Sequence, residues 1–173
     1  MFELVDHTVK LASVNPRAEI HGEERVPAFD LKLEVACTSD VLIHFHPELR
    51  ATLYKKQDNP DLVEQSGTDE FTALRFPKLS ALKWEWEGSG YTLVVGYGIR
   101  GKSDIRLVDC KVDGLRIDAQ NGGTVNLALR VIAHPESKDV GKLCEMIQQN
   151  IEVSLLPPEP ETVGELFGEQ KAA

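Results

Sequence analysis

The stretch Ile105–Ile147, IRLVDCKVDGLRIDAQNGGTVNLALRVIAHPESKDVGKLCEMI, decides the fold, because it reads as a complete unit of strand, tight turn, strand and short helix. Asn121-Gly122-Gly123 separates two apolar-patterned runs, and these residue types reach the positive φ that a tight turn demands. Past the turn, Val125, Leu127, Leu129 and Val131 alternate with Asn126, Ala128 and Arg130, the period of two that marks a half-buried strand. The period then lengthens. Val140, Leu143, Cys144 and Ile147 form one helical stripe, with Pro135 placed where a first turn tolerates it. On the other side of the turn, the phase slips between Leu107 and Cys110 and again between Val112 and Leu115, which predicts bulges near Asp109 and Asp113-Gly114.

The opening of the chain reads the same way. Val9, Leu11 and Val14 begin a strand that runs past Pro16, a residue restricted to edges and bulges, and His21-Gly22-Glu23-Glu24 turns. Phe29, Leu31, Leu33, Val35 and Cys37 then alternate with polar neighbours, and Ser39 caps a helical stretch through Leu53 and Tyr54. Adding 96 to Val9, Leu11, Val14, Phe29, Leu31, Leu33 and Val35 lands on apolar residues each time, and His46-Pro47-Glu48 has a counterpart in His134-Pro135-Glu136. Two ββα repeats, 9–54 and 105–148, account for this; alternating strands falling into phase by chance is the other reading. A duplication requires Leu31 and Leu127 to occupy equivalent core positions.

Between the repeats, residues 57–78 are polar and aperiodic and read as a long loop. A hairpin over 81–98 comes next, with Leu82, Trp84 and Trp86 going out, Gly88-Ser89-Gly90 turning, and Tyr91, Leu93, Val95 and Tyr97 returning. Ile151, Val153 and Leu155 make a last strand. Residues 157–173, PPEPETVGELFGEQKAA, read as a flexible acidic tail. The expected fold class is therefore α+β: one domain over 1–156 made of antiparallel hairpins and two short helices, with that tail at its end.

Composition limits the function. The 173 residues carry a net charge of −9, of which four glutamates and one lysine in 157–173 contribute −3, leaving −6 on the body. An acidic body offers no broad counterion-releasing footprint for duplex DNA. No apolar run approaches the roughly 18 residues of a membrane span, and the acidic start MFELVDHTVK is unlike a secretory signal, so a cytoplasmic protein is expected. Cys37, Cys110 and Cys144 lie far apart in apolar patterns and are read as buried free thiols.

No motif reaches the strength of a catalytic signature. GYGIRG, Gly96–Gly101, fits G-x-G-x-x-G, but the chain continues from it as strand and not as the helix a pyrophosphate needs, so the segment is read as a strand connection. His44 and His46 are two apart in a helical pattern and do not face a common ligand. Neither a nucleophile elbow nor a phosphate loop occurs, so a non-enzyme without metal or cofactor is expected. Trp84, Trp86, Tyr91 and Tyr97 lie among Lys83, Arg100 and Lys102 and admit two readings: a buried sheet face, or a platform on which single-stranded bases stack.

TVKLASVNPRAEIHG, LKWEWEGSGYTL and DCKVDGLRIDAQNGGTV resemble proteins without an assigned active site that are encoded by bacteriophages and prophages of Gram-negative bacteria. The resemblance implies an accessory phage protein in the host cytoplasm, serving replication, recombination or counter-defence. It leaves two functions as expectations. One is a non-catalytic inhibitor or adaptor that occupies a host or defence protein; the other is a single-stranded nucleic-acid binder. In the tail, Glu165, Leu166 and Phe167 resemble the acidic, phenylalanine-bearing tips by which bacterial single-stranded DNA-binding proteins recruit partners, although here six residues come after the phenylalanine. Oligomeric state is left open.

Overall fold

The computed structural model describes residues 1–56, 71–99 and 101–159. Alternation governs it. The strands are β1 (Leu4–His21), β2 (Glu24–Thr38), β3 (Tyr54–Lys56), β4 (Phe71–Leu74), β5 (Leu82–Lys83), β6 (Gly88–Val95), β7 (Ile105–Ala119), β8 (Thr124–Ala133) and β9 (Asn150–Leu156). A 3₁₀ turn at Ser39–His44 and helix α1 (Leu49–Leu53) come after β2, and helix α2 (Ser137–Glu145) comes after β8. Six strands close a barrel in the order β1-β2-β8-β7-β6-β9 and back to β1, every pair antiparallel. Inward residues such as Leu11, Leu31, Leu33, Leu93, Leu127, Leu129 and Leu155 fill it and are almost wholly buried.

The α+β expectation is corrected: the fold is dominated by strands, which hold 57% of the described residues against 14% in helical segments. The helical segments do not form a layer against a sheet. They are short connections, because each apolar stripe is only one or two turns long and the barrel interior is already filled by strand side chains.

The barrel has an internal two-fold relation. Leu4-Val5-Asp6-x-x-Val9 and Leu107-Val108-Asp109-x-x-Val112 are 103 residues apart, and both aspartates adopt positive φ, 50° and 53°. Each sits in a bulge of the same count. Leu4 and His7 face Leu155 and Val153, just as Leu107 and Cys110 face Leu93 and Tyr91. The offset of 96 carries β2 onto β8, and the local dyad of that ladder passes through Leu33 paired with Leu129. It does not carry β1 onto β7, where the pairing Lys10↔Glu34 corresponds to Asp113↔Arg130 at an offset of 103. The first hairpin runs farther beyond its bulge, at Leu11/Ser13, than the second does beyond Asp113/Arg116, which is why the offsets differ. Leu31 and Leu127 are both buried, facing Val131 and Val35.

That longer first hairpin extends past its neighbours: β9 stops at Lys10 and β8 at Phe29. Leu11 directs its backbone toward Gln148 and Gln149, so by strict alternation along β2 the pairs Pro16↔Phe29 and Ala18↔Pro27 are non-hydrogen-bonded. Both prolines thus place their missing N–H on an outer edge, costing no ladder bond and blunting the edge against further strands.

Two connections differ from expectation. In the segment read as a 57–78 loop, residues 57–70 lie outside the described residues, while β4 pairs with β3 and braces the β7–β8 turn: Gly122 N–H donates to the Thr72 carbonyl, and the Tyr54 hydroxyl lies 2.6 Å from the Thr124 carbonyl. The hairpin over 81–98 is absent. Leu82 pairs with Ile117, and Gly88 with Val112, so residues 82–95 run as one interrupted strand along β7. Gly88 does not turn. A methyl there would overlap the Tyr91 ring edge and stand 3.2 Å from Trp86 Cη2, so the glycine exists to let aromatic rings close over it.

Candidate functional site

The two sides of the barrel that the dyad crosses differ outside. Over β1, β2, β8 and β7, register sets outward residues in rows: Lys10, Glu34, Ala128 and Arg116 in one, Ser13, Lys32, Arg130 and Asp113 in the next. Small side chains on the central strands, Ala36, Asn126 and Ala128, leave a groove of about 590 Å³ between longer ones on the flanks. It continues past Lys32 and Arg116 into a second hollow of about 410 Å³, and past Gly114 and Arg130 into a third of about 580 Å³ beside Trp84.

One ion pair stiffens this face. Arg130 donates Nε–H to Asp113 Oδ1 at 2.6 Å and Nη2–H to Oδ2 at 2.8 Å, and Asp113 is only 8% exposed. The hydrogen bonds to Asp113 hold the Arg130 guanidinium above its ordinary range. Arg130 also approaches Asp30 at 3.7 Å, which pairs with Arg17. Lys10, Arg116 and Asp118 make no ion pair among the described residues and line the groove.

The residues singled out by sequence are not brought together. Trp86 and Tyr91 are held in an aromatic cluster with Phe2 and Phe45; Trp86 meets Phe2 edge-on at 5.8 Å, and the Tyr91 hydroxyl donates to the Phe2 carbonyl at 3.0 Å. Lys83 and Trp84 lie beside Leu115 and line the third hollow. Tyr97 and Lys102 lie past the other end of β7, about 30 Å away by the rise of ten strand residues. There they line a cleft of about 500 Å³ with Arg106, Lys138 and Lys142, against Asp104, Glu136 and Asp139. Tyr97 is braced by Glu145, and Lys142 stands over its ring. In the GYGIRG connection, Asp104 already accepts the N–H groups of Tyr97 and Gly101, so a carboxylate of the chain itself fills the cradle an anion would need. Arg100 and the tail residues Glu165, Leu166 and Phe167 lie outside the described residues.

The thiols divide. Cys110 is fully buried and Cys37 half-buried, and burial pushes each up to about 11, whereas Cys144 is exposed on α2, correcting the reading that all three are buried. The helical stripe turns Leu143 inward and leaves its neighbour at the solvent edge. Among the described residues no group of three or more histidines, cysteines or carboxylates is placed to hold a metal, and no helix is long and apolar enough to cross a membrane. The groove went unread in the sequence because its floor is made of small residues on β2 and β8, two strands distant in the chain; the LVD-x-x-V repeat in the flanking strands β1 and β7 was the available signal for how the two halves are arranged.

Compared with protein-family models, curated proteins and solved structures, the chain matches none.

Proposed function

We propose that the protein is a non-catalytic binding module that takes an extended segment of a partner protein into the groove across β2, β8 and β7. The observation that carries this is the interleaving of signs along it: Lys10, Lys32 and Arg116 stand among Glu34 and Asp118 over a floor of small residues. A nucleic-acid backbone carries one sign throughout and meets repulsion at both carboxylates, whereas a polypeptide of mixed charge can match each position. The resemblance to phage proteins makes a host or defence protein the expected partner.

Filling the floor tests the proposal. Ala128→Arg, with its melting temperature checked, is expected to lose capture of a defined partner from host lysate that the wild-type chain retains. Undiminished capture by that variant rules the groove out. The single-stranded nucleic-acid reading rests on the cleft around Tyr97, Lys102 and Arg106; tight binding of a labelled oligonucleotide that weakens steeply with salt and is lost in Lys102→Glu favours it instead.

A further inference from the structure

We infer that the open edge of β5, with the apolar patch of Phe76 and Leu79 beside it, is a docking surface for an acidic extended segment whose occupant is the chain's own residues 162–167. β5 ends the strand order: it pairs with β7 on one side, and among the described residues no strand pairs with the other. Trp84 donates its N–H to the Leu115 carbonyl on β7, so by strand alternation Lys83 turns its N–H and carbonyl to the open side. An unpaired edge of this kind is a template for one more strand.

The β6–β9 ladder points the segment there. Val95 faces Val153 and Thr92 faces Leu156, so each step forward along β9 is a step back along β6 toward β5. The register still holds at Pro158, where a methyl added to Gly90 would stand 3.4 Å from Pro158 Cβ. Continued, it sets Glu165 opposite Lys83 and Leu166 opposite Leu82. Reach is no obstacle. The eight residues from Pro158 to Leu166 span about 26 Å when extended, and the path from Gly90 to Leu82 is no longer, since Trp86 N–H turns back to the Trp84 carbonyl. Pro157, Pro158 and Pro160 cannot donate to a ladder, whereas every residue over 161–167 can.

Charge and apolar surface match this occupant. Over residues 71–83 the charged side chains are Arg75, Lys78 and Lys83, with no carboxylate, in a chain of net charge −9. Lys78 and Lys83 make no ion pair among the described residues. Residues opposite each other in an antiparallel pair share a face, so Glu165 stands with exposed Lys83, and Leu166 stands with Leu82 at the hollow that Leu53, Leu74 and Ile117 line. Phe76 and Leu79 line the same hollow and are 55% and 45% exposed, so Leu166 meets apolar surface that the body leaves open. On the way, Val163 passes Glu85, and Glu161 passes Glu87, whose carboxylate Lys111 holds at 2.9 Å.

Hydrogen exchange on the full chain, read amide by amide over a dilution series, tests this. The amides of Glu165 and Phe167, which the register turns toward β5, should exchange at least tenfold more slowly than in a free peptide of residues 157–173, at every chain concentration. Leu166→Asp and Leu79→Asp should each return them to the free-peptide rate with melting temperature unchanged. Lys83→Glu should lower the protection at least threefold, and adding Glu165→Lys should restore it. Free-peptide rates in the wild-type chain overturn the inference, whether the patch is then bare or covered by residues 57–70. So does protection that rises with chain concentration, which would place a second copy's segment on the edge, and so does protection that survives Leu79→Asp or a double reversal that restores nothing.

Discussion

Gly88→Ala is the sharpest test of how the middle of the chain is built. A glycine in a solvent-exposed turn between two strands tolerates alanine at a few tenths of a kcal/mol unless its φ is positive, and Gly88 is not among the positive-φ residues. In the strand seen here the added methyl has no room, because it overlaps the edge of Tyr91 and lies against Trp86. Overpacking of this kind costs about 1–3 kcal/mol. Should the Tyr91 ring swing out to make space, the chain instead loses a hydroxyl bond to the Phe2 carbonyl worth about 1 kcal/mol and an edge-on contact with Trp86 worth about 1 kcal/mol. Either route predicts a loss of about 1–3 kcal/mol. Urea unfolding followed by tryptophan fluorescence measures it, and the near-ultraviolet circular dichroism should change because Trp86 and Tyr91 move together. A loss below about 0.5 kcal/mol with an unaltered near-ultraviolet spectrum refutes the packing argument.

Other consequences are as direct. Leu33→Ala and Leu129→Ala, on the dyad and equally buried, should each cost about 3 kcal/mol and agree within about 1; a gap above about 2 kcal/mol contradicts equivalence. Arg130→Met leaves Asp113 buried without its partner and should cost about 2 kcal/mol, the exposure of the guanidinium moderating the loss, and most should return in the Asp113→Leu, Arg130→Met double variant. A thiol reagent at neutral pH should modify Cys144 quickly and Cys110 only on unfolding; rapid reaction of two thiols contradicts the burial of Cys110 and Cys37. Because the folded Cys110 thiol is raised from 9.0 to about 11, the unfolded chain releases its proton first, so stability should fall as pH rises from 9 toward 11, by about 2–3 kcal/mol from this residue. Cys110→Ala should flatten that part of the curve.

Much of the local structure was written in the sequence. The alternation of Phe29 to Cys37 and of Val125 to Val131 assigned β2 and β8, and the phase slips in β7 marked the bulges at Asp109 and Gly114, because a period of two fixes which side chains share a face. Asn121-Gly122-Gly123 marked its turn through the positive φ of both glycines. Partner choice was another matter. Nothing local tells β9 to insert between β6 and β1, or Leu82–Val95 to run along β7 as one strand rather than fold on itself, since those pairings are settled by closing a barrel whose strands come from both ends of the chain. The same limit hid the groove and the exposure of two valines. Ala36, Asn126 and Ala128 look ordinary along the chain, and so do Val5 and Val108. Only the closed barrel sets the first three side by side between longer residues, and only the bulges beside Asp6 and Asp109 turn the two valines outward.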